Sequence, residues 1–565
     1  MKLTIYLFLL FSFVSTLGQR KDYPKDYFRS PLDIPLILSG TFGELRSNHF
    51  HSGLDIKTQG RQGLPIYAIA DGYVSRIKVS QYGFGKALYI THPNGYTSVY
   101  AHLQKYADTI QKYVKHIQYK KESYYTGNLF FKEDKFPVKN GEIVAYSGDT
   151  GGSGGPHLHF EIRDTKTEKV INPLHFGYKV LDNRNPTIQA IKAYPLSNYA
   201  QINGQKRDFQ ITVKPIAKGK YVTSRITANG SIGFGISTFD RLNFAPNKNG
   251  VYSIEMLVNG KSVYYFDVET FAFSESKFIN LHIDYKHFQR YRRRYQKTFK
   301  ENANRLSLYE KLMNKGVIEV KNGMSYTVKI IVKDFQGNSS EVSIPVQGVN
   351  SVPLFVKPID STAFFIDKSK FHSLKEQNVT VAFPKNTFYK NQYLDFSVEN
   401  KVAKIHTPTV PLDKNYTIRF NITNHPEEDK EYLYIANLEN SRYPRYQSTK
   451  RRDSVLYTTT KTLGKYGLRI DKEPPKVRLL YFKDQQWITK FKTLKVRISD
   501  RHSGIKNYRA TIDGKWILME FNHKRGILTY NFNDKKLEGT KHIFKIVVSD
   551  NVGNTKELSA TFFKK

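Results

Sequence analysis

Gly155-Pro-His157-Leu-His159-Phe-Glu161 reads as the opening of a β-strand, and the fold of the N-terminal part of the chain follows from it. On a strand successive side chains alternate faces, so His157 and His159 share one side while Leu158 and Phe160 turn to the core. Two imidazoles then stand side by side in one cleft. Upstream, His51-Ser-Gly-Leu-Asp55 sets a histidine and a carboxylate four residues apart in a glycine-containing stretch, close enough to bind one metal ion. His51, Asp55 and His159 give zinc three N/O ligands and leave the fourth position open for water. With 16 His in the chain, neither His-x-His nor His-x-x-x-Asp is a motif by itself, and their joint context decides.

That context is an ordered string. Gly63-Leu-Pro-Ile-Tyr-Ala68 and Ala70-Asp-Gly-Tyr-Val74 are followed by Tyr100-Ala-His-Leu103, Val138-Lys-Asn-Gly-Glu142 and the glycine-rich run Ser147-Gly-Asp-Thr-Gly-Gly-Ser-Gly-Gly155. Over residues 35 to 177 it resembles the lysostaphin/LytM-type zinc metallopeptidases, which hydrolyse peptide bonds in bacterial peptidoglycan. The resemblance implies zinc ligation by His51, Asp55 and His159 and makes His102 and His157 the non-ligand catalytic histidines. It departs at Asp149, where the family more often carries an uncharged polar residue. A phosphate-cradling loop is the rival reading of the glycine run, but no Gly-Lys-Ser/Thr follows it.

The implied chemistry is hydrolysis by zinc-activated water, with His102 and His157 sharing proton transfer and oxyanion stabilisation. The side-chain-poor run Gly148 to Gly155 suits an extended peptide lying against backbone groups. His49, His92, His116 and His175 read as ordinary surface or core histidines. His92, in the turn-like Thr91-His-Pro-Asn-Gly95, reads as structural.

Residues 1–18 carry a lysine and an apolar run ending in small and polar residues, which reads as a secretory signal peptide. An uncleaved N-terminal anchor is the runner-up. The chain has no cysteine, which excludes a disulfide framework, and no later segment is apolar enough to cross a bilayer as a helix. Export to the periplasm or cell envelope, or secretion, is the expectation. The formal net charge of +38 favours anionic polymers. In an exported protein these are envelope polymers rather than nucleic acid, for which no recognition module is present.

At 565 residues with 39% hydrophobic content the chain can bury several cores, and 39 Tyr and 38 Phe with alternating stretches favour strands. The expected fold is mainly β, an antiparallel β-sheet zinc peptidase domain followed by about three β-sandwiches. The expected divisions are a peptidase domain at 30–180, a sandwich at 182–348, a divergent sandwich at 350–470 and a last sandwich at 471–565. Tyr326 to Ser343 aligns without gaps on His542 to Ser559, with Asp334, Gly337, Asn338, Glu341 and Ser343 recurring as Asp550, Gly553, Asn554, Glu557 and Ser559. Asp182-Asn-Arg-Asn-Pro186 recurs as Asp471-Lys-Glu-Pro-Pro475, and Asn259-Gly-Lys261 as Asp513-Gly-Lys515. The modules resemble immunoglobulin-like domains of bacterial surface proteins. Their Asp-x-x-Gly-Asn turns read as side-chain-stabilised, with calcium binding the less favoured use.

Two insertions interrupt this plan. Residues 105 to 137, with a helical stretch at Thr109 to Ile117, read as a wall or lid beside the cleft. Residues 278 to 314, with Tyr291-Arg-Arg-Arg-Tyr295, read as a solvated helical hairpin, with binding to an anionic wall polymer as the alternative. The functional expectation is an exported zinc endopeptidase acting on peptidoglycan. A latent or non-catalytic envelope scaffold and a zinc peptidase of secreted proteins are the alternatives.

Overall fold

The computed structural model describes residues 22–350 and 361–565, so the signal-peptide reading of residues 1–18 lies outside it, as does the start of the 350–470 segment. The N-terminal domain is built on an antiparallel sheet. Its strands are β1 (Leu38–Gly40), β2 (Leu54–Lys57), β3 (Gly72–Val79), β4 (Lys86–Thr91), β5 (Tyr96–Ala101), β6 (Gly127–Phe130) and β7 (His157–Asp164). Their spatial order is β1-β2-β7-β5-β4-β3-β6, which puts the histidine strand at the centre. On β7 the expected alternation holds. Leu158, Phe160 and Ile162 join the main core, while His157, His159, Glu161 and Arg163 occupy the other face.

The following module pairs β8 (Thr187–Pro195) with the long strand β9 (Ile226–Phe239), and continues through β10 (Ser253–Val258), β11 (Lys261–Asp267), β12 (Ser325–Lys333) and β13 (Ser339–Gly348). The N-terminal sheet and this module share one apolar core, running from Tyr23 to Val346 and joined by Leu518 of the last module. Residues 366–466 close a separate core between two five-stranded sheets, and residues 482–562 close a third. The last module repeats the plan of the first with β14 (Lys476–Leu480), β15 (Thr493–Ser499), β16 (Lys541–Asp550) and β17 (Thr555–Phe563). The recurring turns agree in detail. Asn259 and Asp513 each take a positive φ, 47° and 49°, and each accepts a backbone N–H across the sheet, from Thr327 and Ile543.

The second insertion differs from its expected role, and the first also contacts the last module. The first contains helix α1 (Asp108–Lys120), which meets the last module. Lys115 pairs with Asp534, Glu122 with Arg509 at 2.5 Å, and Tyr119 meets Trp516 edge-on. The second is not a helical hairpin. After α2 (Ile279–His282) and α3 (Tyr285–Tyr291) the chain reverses at Arg292, φ 58°, and Gln296–Lys297 adds to β9 as a short strand. Phe278, Ile279, Leu281, Ile283 and Phe288 are all buried, so the segment is anchored along its length and a free hairpin would leave them in water.

His282 is fully buried in this insertion, stacked on Phe266 at 4.5 Å and bonded to Gln296 and Tyr309. Burial is the main cause that pulls its pKa down to about 4. Between that value and the unfolded value of about 6.5 the folded chain binds fewer protons, so stability is lost as pH falls through this window and is constant above it. The loss is expected to reach about 3 kcal/mol. His282→Gln should flatten the decline of the first module's denaturation midpoint between pH 6.5 and 4, and an unchanged decline would assign it to another group.

Candidate metal centre

Strand register assembles the centre. His159 lies opposite Asp55 on β2 and opposite Ala101 on β5, one residue before His102. His51 arrives from the loop before β2, whose backbone is pinned by Gly43 N–H to His51 O and His51 N–H to Glu44 O. His51 Nε2, Asp55 Oδ1 and His159 Nδ1 form a triangle with edges of 2.9, 2.9 and 3.1 Å. About 3.3 Å is what ~2.0 Å bonds at tetrahedral angles require. All three residues are buried.

The surrounding bonds decide what this triangle can hold. His51 Nδ1 donates to the Thr41 carbonyl at 2.8 Å, which leaves Nε2 as a lone pair. His159 Nε2 donates to Glu161 Oε1 at 2.9 Å, which leaves Nδ1 as a lone pair. Two imidazole lone pairs and a carboxylate oxygen therefore converge, and the donor set fits a tetrahedral divalent cation with N/O preference. Asp55 Oδ2 is occupied by Arg46 at 3.0 Å, so Asp55 offers one oxygen to the centre. A Cβ on Gly40 would lie 2.4 Å from that guanidinium and 2.6 Å from Asp55 Oδ2, so this position has no room for a side chain.

Protons and a cation compete for these same three atoms. Burial raises the Asp55 pKa, but the charge of His51 and the bonds from His157, His159 and His51 outweigh it and hold the group well below the ordinary range. For His159 burial is likewise overcome, here by Asp55 and Glu161, which raise it to about 9, so a cation entering the triangle displaces a proton. Glu161 is fully buried. Burial opposes its charge, while Arg163 and His159 bring it to about 2.

His102 and His157 flank the triangle with their rings 4.8 Å apart. His102 Nδ1 donates to Thr150 O and His157 Nδ1 to Gly155 O, both at 2.8 Å, so each presents an Nε2 lone pair. His157 Nε2 lies 3.4 Å from Asp55 Oδ1. Burial, with His159 and His157 beside it, pulls His102 down to about 3, so it stays neutral at physiological pH. His102 also sits at φ 59°, a left-handed conformation costing on the order of 1 kcal/mol, held by its N–H to Phe84 O. A Cβ on Gly154 or Gly155 would meet nothing within 4 Å, so the loop beside the histidines faces open space.

All five candidate residues thus meet in one place. Glu161, Arg163, Arg46 and the Thr41 carbonyl are additions, and Glu161 had a signal, since it shares the strand face of His157 and His159. His92 is structural, bonded to Asp71 O and Ser98. The unexpected neighbour is the last module. Lys524 Nζ bonds the carbonyl and Oδ1 of Asp149, at 2.8 and 2.7 Å, and His523 packs edge-on against Tyr82. The charge that sets Asp149 apart from the related pattern therefore has a partner.

The sheet and the His/Asp triangle together define a metallopeptidase-type domain. Residues 49–119 match the family model described as peptidase family M23, a segment that holds His51, Asp55 and His102, and residues 363–471 match one described as a Zu5-like domain. The DD-carboxypeptidase/endopeptidase Mpg of Neisseria meningitidis is 33% identical over 119 residues, 21% of this chain and 21% of its own. The peptidoglycan DD-endopeptidase ShyC of Vibrio cholerae is 29% identical over 186 residues, 31% of this chain and 33% of its own. The catalytic domain of the antimicrobial peptidase lysostaphin from Staphylococcus simulans is 24% identical, with 26% of this chain and 93% of that one covered at a TM-score of 0.20. The N-terminal domain is of the LytM type within family M23. The chain spans only a fifth to a third of these two curated relatives.

Glu161→Gln keeps the shape but removes the charge that fixes the His159 tautomer, while Arg163 retains Glu168 at 2.8 Å. Zinc affinity, read by competition with a chromophoric chelator, is expected to fall 10–100-fold with the thermal transition retained. An unchanged affinity would separate Glu161 from the metal centre.

Proposed function

We propose that the protein is a zinc-dependent endopeptidase that cuts peptide stems or cross-links of peptidoglycan in the cell envelope. The observation that carries this reading is the convergence of three lone-pair donors, from His51, Asp55 and His159, with two further histidines whose Nε2 atoms face them. Zinc in that position supplies Lewis acidity, which acidifies water and polarises a scissile carbonyl. His102 and His157 hold and move protons at Nε2, one accepting from the attacking water and the other serving the oxyanion or the leaving amine. Their Nδ1–H bonds to backbone carbonyls keep both rings oriented and both Nε2 atoms available. The open strip at Gly154 and Gly155 leaves space for an extended peptide.

The name of one relative supplies the substrate class, since ShyC is described as a peptidoglycan DD-endopeptidase. Among the described residues no helix is long and apolar enough to cross a membrane. The net charge of +38, with Arg292 and Arg293 exposed beyond α3, suits retention on anionic envelope polymers.

A second reading, a latent enzyme, is favoured by the bond from Lys524 to Asp149 on the loop that borders the histidines. The two readings separate in one experiment. The full chain is incubated with purified peptidoglycan, with and without chelation and zinc restoration, beside His159→Ala and Lys524→Ala. Zinc-dependent release of new amino termini by the full chain, absent in His159→Ala, is the expected outcome. Release only by Lys524→Ala would establish latency, and no release by either despite bound zinc would overturn the peptidase reading.

A further inference from the structure

Two carboxylate triads lie far from the zinc-type centre, at equivalent places in the first and last modules. In the first module Asp182 precedes β8, Asp240 follows β9, and Asp334 opens the turn from β12 to β13. In the last module Asp471 precedes β14, Asp500 follows β15, and Asp550 opens the turn from β16 to β17. Within each triad every residue offers an oxygen within 4.8 Å of the other two. The stitching of the preceding linker is also shared, since Asn338 Nδ2 donates to Asp182 O at 3.3 Å and Asn554 Nδ2 to Asp471 O at 2.8 Å.

The two triads differ in how their charge is met. In the last module Asp550 accepts the N–H groups of Val552, Gly553 and Asn554, Asp500 those of His502 and Gly504, and Asp471 those of Glu473 and Ser503. In the first module Asp334 accepts from Asn338 and Asp182 Oδ1 from Arg184 N–H. Asp182 Oδ2 and Asp240 Oδ1 are buried without any hydrogen-bond partner, and Asp240 is only 1% exposed. An unpaired buried carboxylate oxygen costs several kcal/mol unless a positive charge meets it.

We propose that Asp182, Asp240 and Asp334 form a binding site for a calcium-sized divalent cation at the joint between the peptidase domain and the first module. The ligands are oxygens only, which selects a hard cation, and mutual separations up to 4.8 Å match oxygens arranged around one ion at 2.3–2.6 Å. Without the cation the triad is self-repelling. Burial, then the charges of Asp182 and Asp334, push Asp240 up to about 7, and burial with Asp182 raises Asp334 to about 6. The Asp-x-x-Gly-Asn turn thus serves two ends. Asn338 closes it locally, and the remaining lone pairs of Asp334 turn towards Asp182 and Asp240.

The site sits where it can stiffen the joint. Gln336 Nε2 holds Val180 O at 3.1 Å and Ser340 Oγ holds Pro186 O at 2.5 Å, so the linker on both sides of Asp182 is already tied to the β12–β13 turn. A cation adds a bond from that linker to the end of β9.

The test uses the full chain, stripped of metal and reloaded with one equivalent of zinc, titrated by calorimetry with calcium or magnesium and melted with and without each. Wild type is expected to bind one calcium ion saturably, with a rise in melting temperature and with magnesium at least tenfold weaker. Asp240→Asn is expected to abolish binding and the rise while leaving the calcium-free chain folded, because it removes the repulsion. Asp500→Asn is expected to leave calcium binding intact. No saturable binding in wild type, binding that survives Asp240→Asn, loss of binding in Asp500→Asn, or magnesium bound as tightly as calcium would each overturn the assignment.

Discussion

The register of three antiparallel strands governs the candidate site. β7 runs between β2 and β5, and the pairing of His159 with Asp55 and Ala101 brings Asp55 from one side and His102 from the other to one point on one face. Because the side-chain period is two, a slip of one residue would send His157, His159, Glu161 and Arg163 into the apolar core and Leu158 and Phe160 into the cleft. That exchange would bury two charges and two imidazoles against Tyr100 and Tyr178, which now pack on Phe160 at 5.6 Å each. The apolar face therefore specifies the position of the polar one.

The polar face of β7 is itself a chain of compensations. His159 is oriented by Glu161, Glu161 is held ionised in the interior by Arg163 at 2.5 to 2.7 Å, and Arg163 reaches Glu168 and lies over Tyr89. Each buried charge has a partner, and the series ends at half-exposed Glu168, where water takes over. On the other side Arg46 plays the same part for Asp55. The candidate metal ligands are thus the inner ends of two charge relays that run out to solvent, which explains how so polar a centre is tolerated beside a closely packed sheet.

Much of this was legible in the sequence because it is local. Strand alternation placed His157 and His159 on one face, the ordered motif string around His51 and Asp55 pointed to the other two candidate ligands, and the Asp-x-x-Gly-Asn repeat marked equivalent hairpins. What was not legible is long-range. Asp182, Asp240 and Asp334 are spread over more than a hundred and fifty positions and meet only when β8, β9 and the β12–β13 turn fold together. Lys524 and Asp149 are 375 residues apart, and no local pattern predicts their bond. The basic segment around Arg292 misled for a different reason. Its charges suggested a solvated hairpin, whereas the aromatic and aliphatic residues between them anchor it, and Gln296–Lys297 finds a ladder partner on β9. Tertiary pairing overrode local amphipathicity there.

The first module belongs to the frame of the metal centre rather than hanging from it. Thr41, whose carbonyl fixes the tautomer of His51, exchanges hydrogen bonds with Gly250 through its hydroxyl. Gly250 follows Asn249, whose backbone pairs in both directions with Asp240, at 2.8 and 3.0 Å. Asn247 reaches back to Ser39 O, and Ser276 Oγ accepts from Phe50 N–H one residue before His51. A continuous run of hydrogen bonds therefore connects Asp240 to the His51 ring through Asn249, Gly250 and both the hydroxyl and the carbonyl of Thr41. The peptidase sheet and the first module share one apolar core, so displacement of the segment at Asp240 would be felt at the His51 ring through the Thr41 carbonyl. The last module grips the opposite side of the domain through α1 and the loop at Asp149. The sheet that carries the ligands is thus held from both sides by domains that supply none of them.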